Sequence, residues 1–221
     1  RPQHLALIHQ NDIEFIMQLG PNIEDGIEAS AEYYSETVGG KVTHGNYEME
    51  TLERNDRPEQ FTDKENFTLF NLKTTDLKTK VAKPSKLLLF RGWPKNSAPK
   101  TTDPVLEMLG FALEYNKILV HSSLGAGRTG TLLSILSGIR DCQICLVEHP
   151  NLLISQIRQV RYGSVQSPIQ LMYMVLAITK GIMDAREIAY THSYGILKEL
   201  YERYWSNVYE FDDPKYKNED R

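Results

Sequence analysis

The aliphatic run Ile118-Leu119-Val120 leads directly into His121-Ser122-Ser123-Leu124-Gly125-Ala126-Gly127-Arg128-Thr129-Gly130. Three large apolar residues, two of them β-branched, predict a short buried strand. The glycines at 125, 127 and 130 predict a tight loop, and a helix is expected from Arg128 toward Asp141. A strand, a glycine loop and a helix in that order commit this part of the chain to an α/β arrangement. The loop's N–H groups and the positive end of the helix would converge on one point, which suits an anion. Arg128 can add a bidentate contact to a phosphate or carboxylate. A glycine loop that only keeps the shape is the competing reading.

Elsewhere the element types alternate, and an α/β (α+β) fold is expected, with a central mixed, twisted sheet flanked by helices. His4 to Gln10 reads as the end of a helix and Ile13 to Leu19 as a buried strand. Lys41 to Glu50 and Asn66 to Lys73 alternate apolar and polar residues like half-buried strands, separated by a charged loop from Glu53 to Asp63. Leu87 to Phe90 is a further short strand. Asp103-Pro104 and Ser167-Pro168 are cap-and-first-turn signals, for helices reaching Tyr115 and about Met183. Another helix is expected from Asn151 to Arg161, and one amphipathic helix over 184–206, ending near Trp205.

Size fits one domain over 1–206 followed by a charged tail over 207–221. The chain begins on Arg1 rather than Met, so it is expected to be a piece of a longer protein. No apolar run approaches bilayer length and no signal-peptide pattern opens the sequence. The formal net charge of −4, from 25 basic and 29 acidic residues, argues against general nucleic-acid binding and makes any anion site a local one. Cys142 and Cys145 are the only cysteines, which excludes a disulfide framework and favours a reducing compartment. Zinc needs four ligands and only His149 stands near that pair, so both are expected to be ordinary thiols. No metal and no cofactor are expected.

The segment from His121 to Gly130 resembles the phosphate-binding loop of the cysteine-dependent protein tyrosine phosphatases. Further matches occur in the family's order. Arg91-Gly92-Trp93-Pro94-Lys95 resembles its Trp-Pro-Asp loop. Arg158-Gln159-Val160-Arg161 and Val165-Gln166-Ser167-Pro168-Ile169-Gln170 resemble its Arg-rich helix end and glutamine loop. The resemblance runs from about Ile13 to Met183. It implies a protein-tyrosine-phosphatase fold and a phosphate held by Ser122, Ser123, Leu124, Gly125, Ala126, Gly127 and Arg128. It also implies supporting roles for Trp93 and Pro94, for Thr129 beside the phosphoenzyme, and for His121 as the residue that tunes the nucleophile. Gln166 and Gln170 stand where the family positions its hydrolytic water. The bland reading of Gln166 is a solvated loop residue.

Two departures decide the functional expectation. Ser122 stands where the family has its nucleophilic cysteine, and Lys95 where it has the aspartic acid that protonates the leaving tyrosine. A serine hydroxyl stays protonated in a field that ionises a thiol, and it needs a general base. His121, its neighbour along a strand, points to the opposite face. A lysine near its reference pKa of about 10.4 is a poor acid at neutral pH; Lys95 either holds phosphate or is merely exposed. The expectation is an inactive family member, cytoplasmic, that binds phosphotyrosine-bearing proteins as a regulator or scaffold, without nucleic-acid or membrane contact. The alternatives are a phosphatase made substrate-trapping by Ser122 and a phosphate-independent interaction module. The family's tyrosine-bearing loop that sandwiches the substrate ring is not found and is expected upstream of Arg1.

Overall fold

The computed structural model describes residues 2–24, 26–143 and 150–212. Cys145 and His149 therefore lie outside the described residues, as do the side chain of Cys142 and the tail beyond 212. The chain divides into two compact units, one formed by Arg1–Lys95 with Glu107–Gly125 and the other by Asn96–Leu106 with Ala126–Arg221.

The first unit is built on a mixed six-stranded sheet. In chain order its strands are β1 (Phe15–Leu19), β4 (Lys41–His44), β5 (Tyr47–Asn55), β6 (Phe67–Asp76), β7 (Ala82–Phe90) and β8 (Ile118–Ser122). A two-stranded hairpin of β2 (Ile23–Glu24) and β3 (Ile27–Glu28) stands apart from it. The strand order is β4-β5-β6-β7-β1-β8, antiparallel as far as β7 and parallel where β1 meets β7 and β8. All five residues of β1 are buried, as a strand paired on both edges and covered on both faces requires.

Alternation along the strands sorts the core into two layers. Ile16, Phe70, Leu72, Leu87 and Leu89 form one layer with Leu5 and Ile8 of helix α1 (Pro2–Gln10). Phe15, Phe67 and Phe90 have the opposite parity. Phe67 stacks on both Phe90 and Phe61, and Phe15 meets Phe111 and Tyr115 at the end of helix α2 (Asp103–Ala112).

Several sequence boundaries need correction. Lys41 to Glu50 is a hairpin rather than one strand. His44 pairs with Tyr47 across a two-residue turn that begins on Gly45 at φ +64, a conformation that favours glycine. β5 continues to Asn55, into the expected loop, past a bulge between Thr51 and Glu53. β7 begins at Ala82 rather than Leu87. Pro84 is tolerated there because β1 joins β7 only from Lys86 onward, leaving the earlier part an edge.

The second unit is helical: α3 (Gly127–Gln143), α4 (Pro150–Val160), α5 (Pro168–Ala185) and α6 (His192–Asp212). A Cβ on Gly138 would meet Ile178 at 2.4 Å, and one on Gly181 would meet Ile139 at 2.7 Å, so glycines allow α3 and α5 to pack closely. Ser167 caps α5 by accepting from the Gln170 N–H. The expected single helix over 184–206 is instead broken. Glu187 takes φ +53, and α6 starts only after Thr191, whose hydroxyl accepts from the Tyr194 N–H. Nor does α6 end near Trp205; it runs to Asp212. It is tied to the 97–101 segment by Tyr201 Oη donating to the Pro99 carbonyl at 2.5 Å and Trp205 Nε1 to the Ala98 carbonyl at 2.9 Å.

Phe67 is fully buried between two stacked rings. Phe67→Ala is expected to destabilise the protein by about 3–5 kcal/mol, read as a lower urea midpoint with the far-ultraviolet spectrum retained before the transition.

Candidate phosphate-binding site

β8 ends on His121 and Ser122, and the two side chains take different partners. His121 Nε2 and the Tyr33 hydroxyl are 2.7 Å apart, and the imidazole also meets the rings of Tyr33 and His4 edge-on, each with centroids at 5.4 Å. Burial, followed by the charge of nearby His4, pushes the His121 pKa down to about 3. Burial likewise raises the Tyr33 hydroxyl well above its usual value. A neutral imidazole and a neutral phenol therefore share this bond. Ser122 Oγ accepts from the Gly125 N–H at 3.2 Å. Gly125 itself lies at φ +65, where any side chain would be strained.

In the second unit, Gly127 to Gly130 form the buried first turn of α3. Arg128 is only 5% exposed and Thr129 6%. The Gly130 N–H donates to the Ala126 carbonyl at 2.9 Å, closing the first turn. The residues before it aim their N–H groups beyond the helix start, where the dipole is positive.

The glutamine-bearing segment packs against this turn. A Cβ on Gly127 would lie 2.6 Å from Gln166 Oε1 and 3.1 Å from Gln170 Nε2, while one on Gly130 would collide with the Cβ, Oγ and Cα of Ser164 at 2.7–2.9 Å. Gln170 is buried. Its Oε1 accepts from the Gln166 N–H at 2.8 Å, and its Nε2 donates to the Ser97 carbonyl at 3.2 Å. Arg158 donates from Nε to the Ser164 carbonyl and from a terminal guanidinium nitrogen to the Val165 carbonyl, both at 2.9 Å. Val165 between them is at φ +57, an outlier for a β-branched residue.

The structure thus brings Gly127, Gln166 and Gln170 together, and joins His121 to Tyr33 and His4. Trp93 is fully buried in the first unit, Pro94 is half-buried, and Lys95 and Ser123 are exposed. Leu124 is also exposed, at 73%. Ala126 is half-buried. Sequence reasoning missed Tyr33, which bonds His121 across 88 residues of chain, because no local pattern marks such a pair. It also missed Ser164, whose small side chain faces Gly130. Among the described residues no group of three His, Cys, Asp or Glu side chains is arranged to hold a metal ion.

The family model described as protein-tyrosine phosphatase matches residues 3–180. The mouse (Mus musculus) receptor-type tyrosine-protein phosphatase-like N is 26% identical over 191 residues, covering 80% of this chain and 18% of that protein. Human (Homo sapiens) receptor-type tyrosine-protein phosphatase eta is 29% identical over 135 residues, covering 54% of this chain and 9% of that protein. The chain therefore spans less than a fifth of the length of these relatives. A solved structure described as the structural basis of the PTPN18 fingerprint on distinct HER2 tyrosine phosphorylation sites matches with a TM-score of 0.69 and 21% identity. The match covers 82% of this chain and 65% of that one, a likeness of fold.

Two outcomes follow from this geometry. Gly130→Ala is expected to cost about 1–3 kcal/mol, because Ser164 meets the new methyl partly through its backbone. Gly127→Ala should cost less, since it meets only the ends of two glutamine side chains; paired thermal melts compare them. His121 has a folded pKa near 3 against 6.5 for the free group, so between those values the unfolded chain binds the extra proton. Its contribution is complete above about pH 6.5 and is lost as pH falls toward 3, on the order of a few kcal/mol. In His121→Gln the acid-side fall in urea midpoint should flatten; His4, shifted in the same direction, leaves a residual slope.

Proposed function

This chain belongs to the protein-tyrosine phosphatase family, and on that premise we propose that it is an inactive member. In this reading the loop Ser122–Arg128 receives the phosphate of phosphotyrosine-bearing protein partners, and the protein regulates or scaffolds them. The observation that carries the reading is a serine at the place of the nucleophile, beside a histidine engaged with Tyr33. A serine hydroxyl is a far weaker acid than a thiol and needs a general base before it can attack phosphorus. Lys95, at the place of the acid, offers an amine in place of a carboxyl group.

The binding half of the reading rests on what remains in the loop. Gly125 has the left-handed backbone a tight turn needs, the first turn of α3 follows at once, and Arg128 supplies a guanidinium. A thiolate repels a phosphate dianion by up to about 4 kcal/mol for unit charges at 4 Å and an effective dielectric of 20. Serine removes that repulsion, so affinity is gained where turnover is lost. We place this activity in a single working domain over 1–206, in the cytoplasm or on the cytoplasmic side of a larger protein. No helix among the described residues is long and apolar enough to cross a membrane.

Fluorescence anisotropy with matched phosphotyrosine and unphosphorylated peptides tests the proposal. The phosphopeptide is expected to bind, Arg128→Met to weaken it about 10- to 100-fold, and aryl phosphate hydrolysis to be undetectable. Robust turnover by this sequence would overturn the reading. Strong activity in the single change Ser122→Cys would favour a substrate-trapping enzyme, since an inactive lineage should gain little before Lys95→Asp is added. Equal binding of both peptides would favour the phosphate-independent module.

A further inference from the structure

Helix α6 carries apolar residues on two faces, and only one of them is covered among the described residues. Tyr194 and Tyr201 are buried, and Tyr201 meets Tyr173 of α5 and, with Trp205, holds the 97–101 segment. Successive helical residues are rotated by about 100°, so Leu200 points well away from Tyr201. Ile196, Leu200 and Tyr204 recur at i, i+4 and i+8 and therefore line one face. They are 45%, 51% and 38% exposed. Single exposed apolar residues are ordinary, but a surface helix normally turns polar side chains to water along such a face. α6 begins at His192, past residue 180 where the family match stops, so this face lies outside the matched domain.

The charges beside the stripe decide what fits it. On the side away from Tyr201 it is edged by Glu199 and Arg203, one turn apart and paired at 2.5 Å. Two copies of α6 set antiparallel about a two-fold axis at Leu200 would bring Ile196 of each against Tyr204 of the other. Like edges then meet, so Glu199 of each copy faces Arg203 of the other. A parallel pair would instead bring the charged edge against the edge bearing Leu197 and Tyr201, which faces α5. The segment 213–221 of the same chain offers only Pro214 and Tyr216 to three apolar residues. Exposed ion pairs contribute little to affinity, so here they set the orientation while the apolar stripe supplies the attraction.

We propose that α6 is a self-association face, which pairs two copies of this chain antiparallel through Ile196, Leu200 and Tyr204. The inference is independent of what the phosphate loop binds. A seam of three residues lies at the small end of protein interfaces, so the dimer is expected to be weak, with a Kd on the order of 100 µM. Sedimentation velocity at concentrations well below and well above that value is expected to show the chain pass from monomer to dimer. Leu200→Glu should weaken association more than about ten-fold. Its thermal midpoint at low concentration should stay near that of the unchanged chain, because the residue is exposed. If Leu200→Glu melts early, Ile196→Gln on the same face replaces it.

Charge variants test the arrangement. Glu199→Arg or Arg203→Glu alone sets like charges against each other across the axis and should weaken the dimer, and the two changes together should restore it. A chain that stays monomeric throughout, or a dimer that the stripe variants leave unchanged, overturns the proposal. Association that is lost in Leu200→Glu but indifferent to the charge variants overturns the antiparallel arrangement and keeps the stripe as the interface.

Discussion

The missing side chain at Gly130 sets how the first turn of α3 can sit. With hydrogen there, the turn approaches until Ser164 lies where a Cβ would be, at 2.7 Å. That approach fixes the segment from Ser164 to Gln170, and the segment is held from behind by Arg158 at two successive carbonyls. Gln170 then passes the constraint on, from the Gln166 N–H to the Ser97 carbonyl. The 97–101 strap that receives it is bonded in turn by Tyr173, Tyr201 and Trp205. A charged donor on buried carbonyls is worth more than a neutral one, and removing it leaves acceptors unpaired. The order of the α3 turn is thus a property of the whole helical unit.

In the first unit the corresponding constraint is the double burial of β1. Its neighbours on both sides are parallel, and the register sets Gln18 opposite His121 and Leu19 opposite Ser122. Layers on the two faces hold that register, because a slip by one residue would exchange the phenylalanine layer for the aliphatic one. His121 therefore arrives at a fixed height beside Tyr33, in surroundings that keep it neutral. A buried neutral histidine in a hydrogen bond rigidifies the strand end without adding charge to the loop that follows.

Much of this was legible in the sequence because the relevant signals are local. The strand–loop–helix order at 118–143 and the cap at Ser167 stand as the residue patterns require, and the buried strand expected over Ile13–Leu19 forms from Phe15 onward. The misreadings have physical causes as well. Gly45-Asn46 is a hairpin signal hidden in an alternating stretch, and Pro84 masks a strand that it occupies only at an edge. The break after Ala185 depends on the left-handed Glu187, a residue type that does not advertise it. Partners such as Tyr33 for His121, or Ser97 for Gln170, lie 88 and 73 residues away. Only the tertiary fold reveals them.

What serine does at position 122 also bears on stability. A loop that converges donors on one point carries a positive field, and a resident thiolate would partly neutralise it. Serine leaves the field in place, and the Ser122 Oγ accepts from the Gly125 N–H. On the proposed function the balancing charge comes from the partner's phosphate rather than from the protein. Binding and stability are then linked, because an anion that binds the folded loop and not the unfolded chain stabilises the fold by RT ln(1 + [L]/Kd). On that proposal, a neutral group in place of the nucleophile shifts the use of the same electrostatics from chemistry to recognition, with Arg128 and the glycine turns as the parts that must be kept.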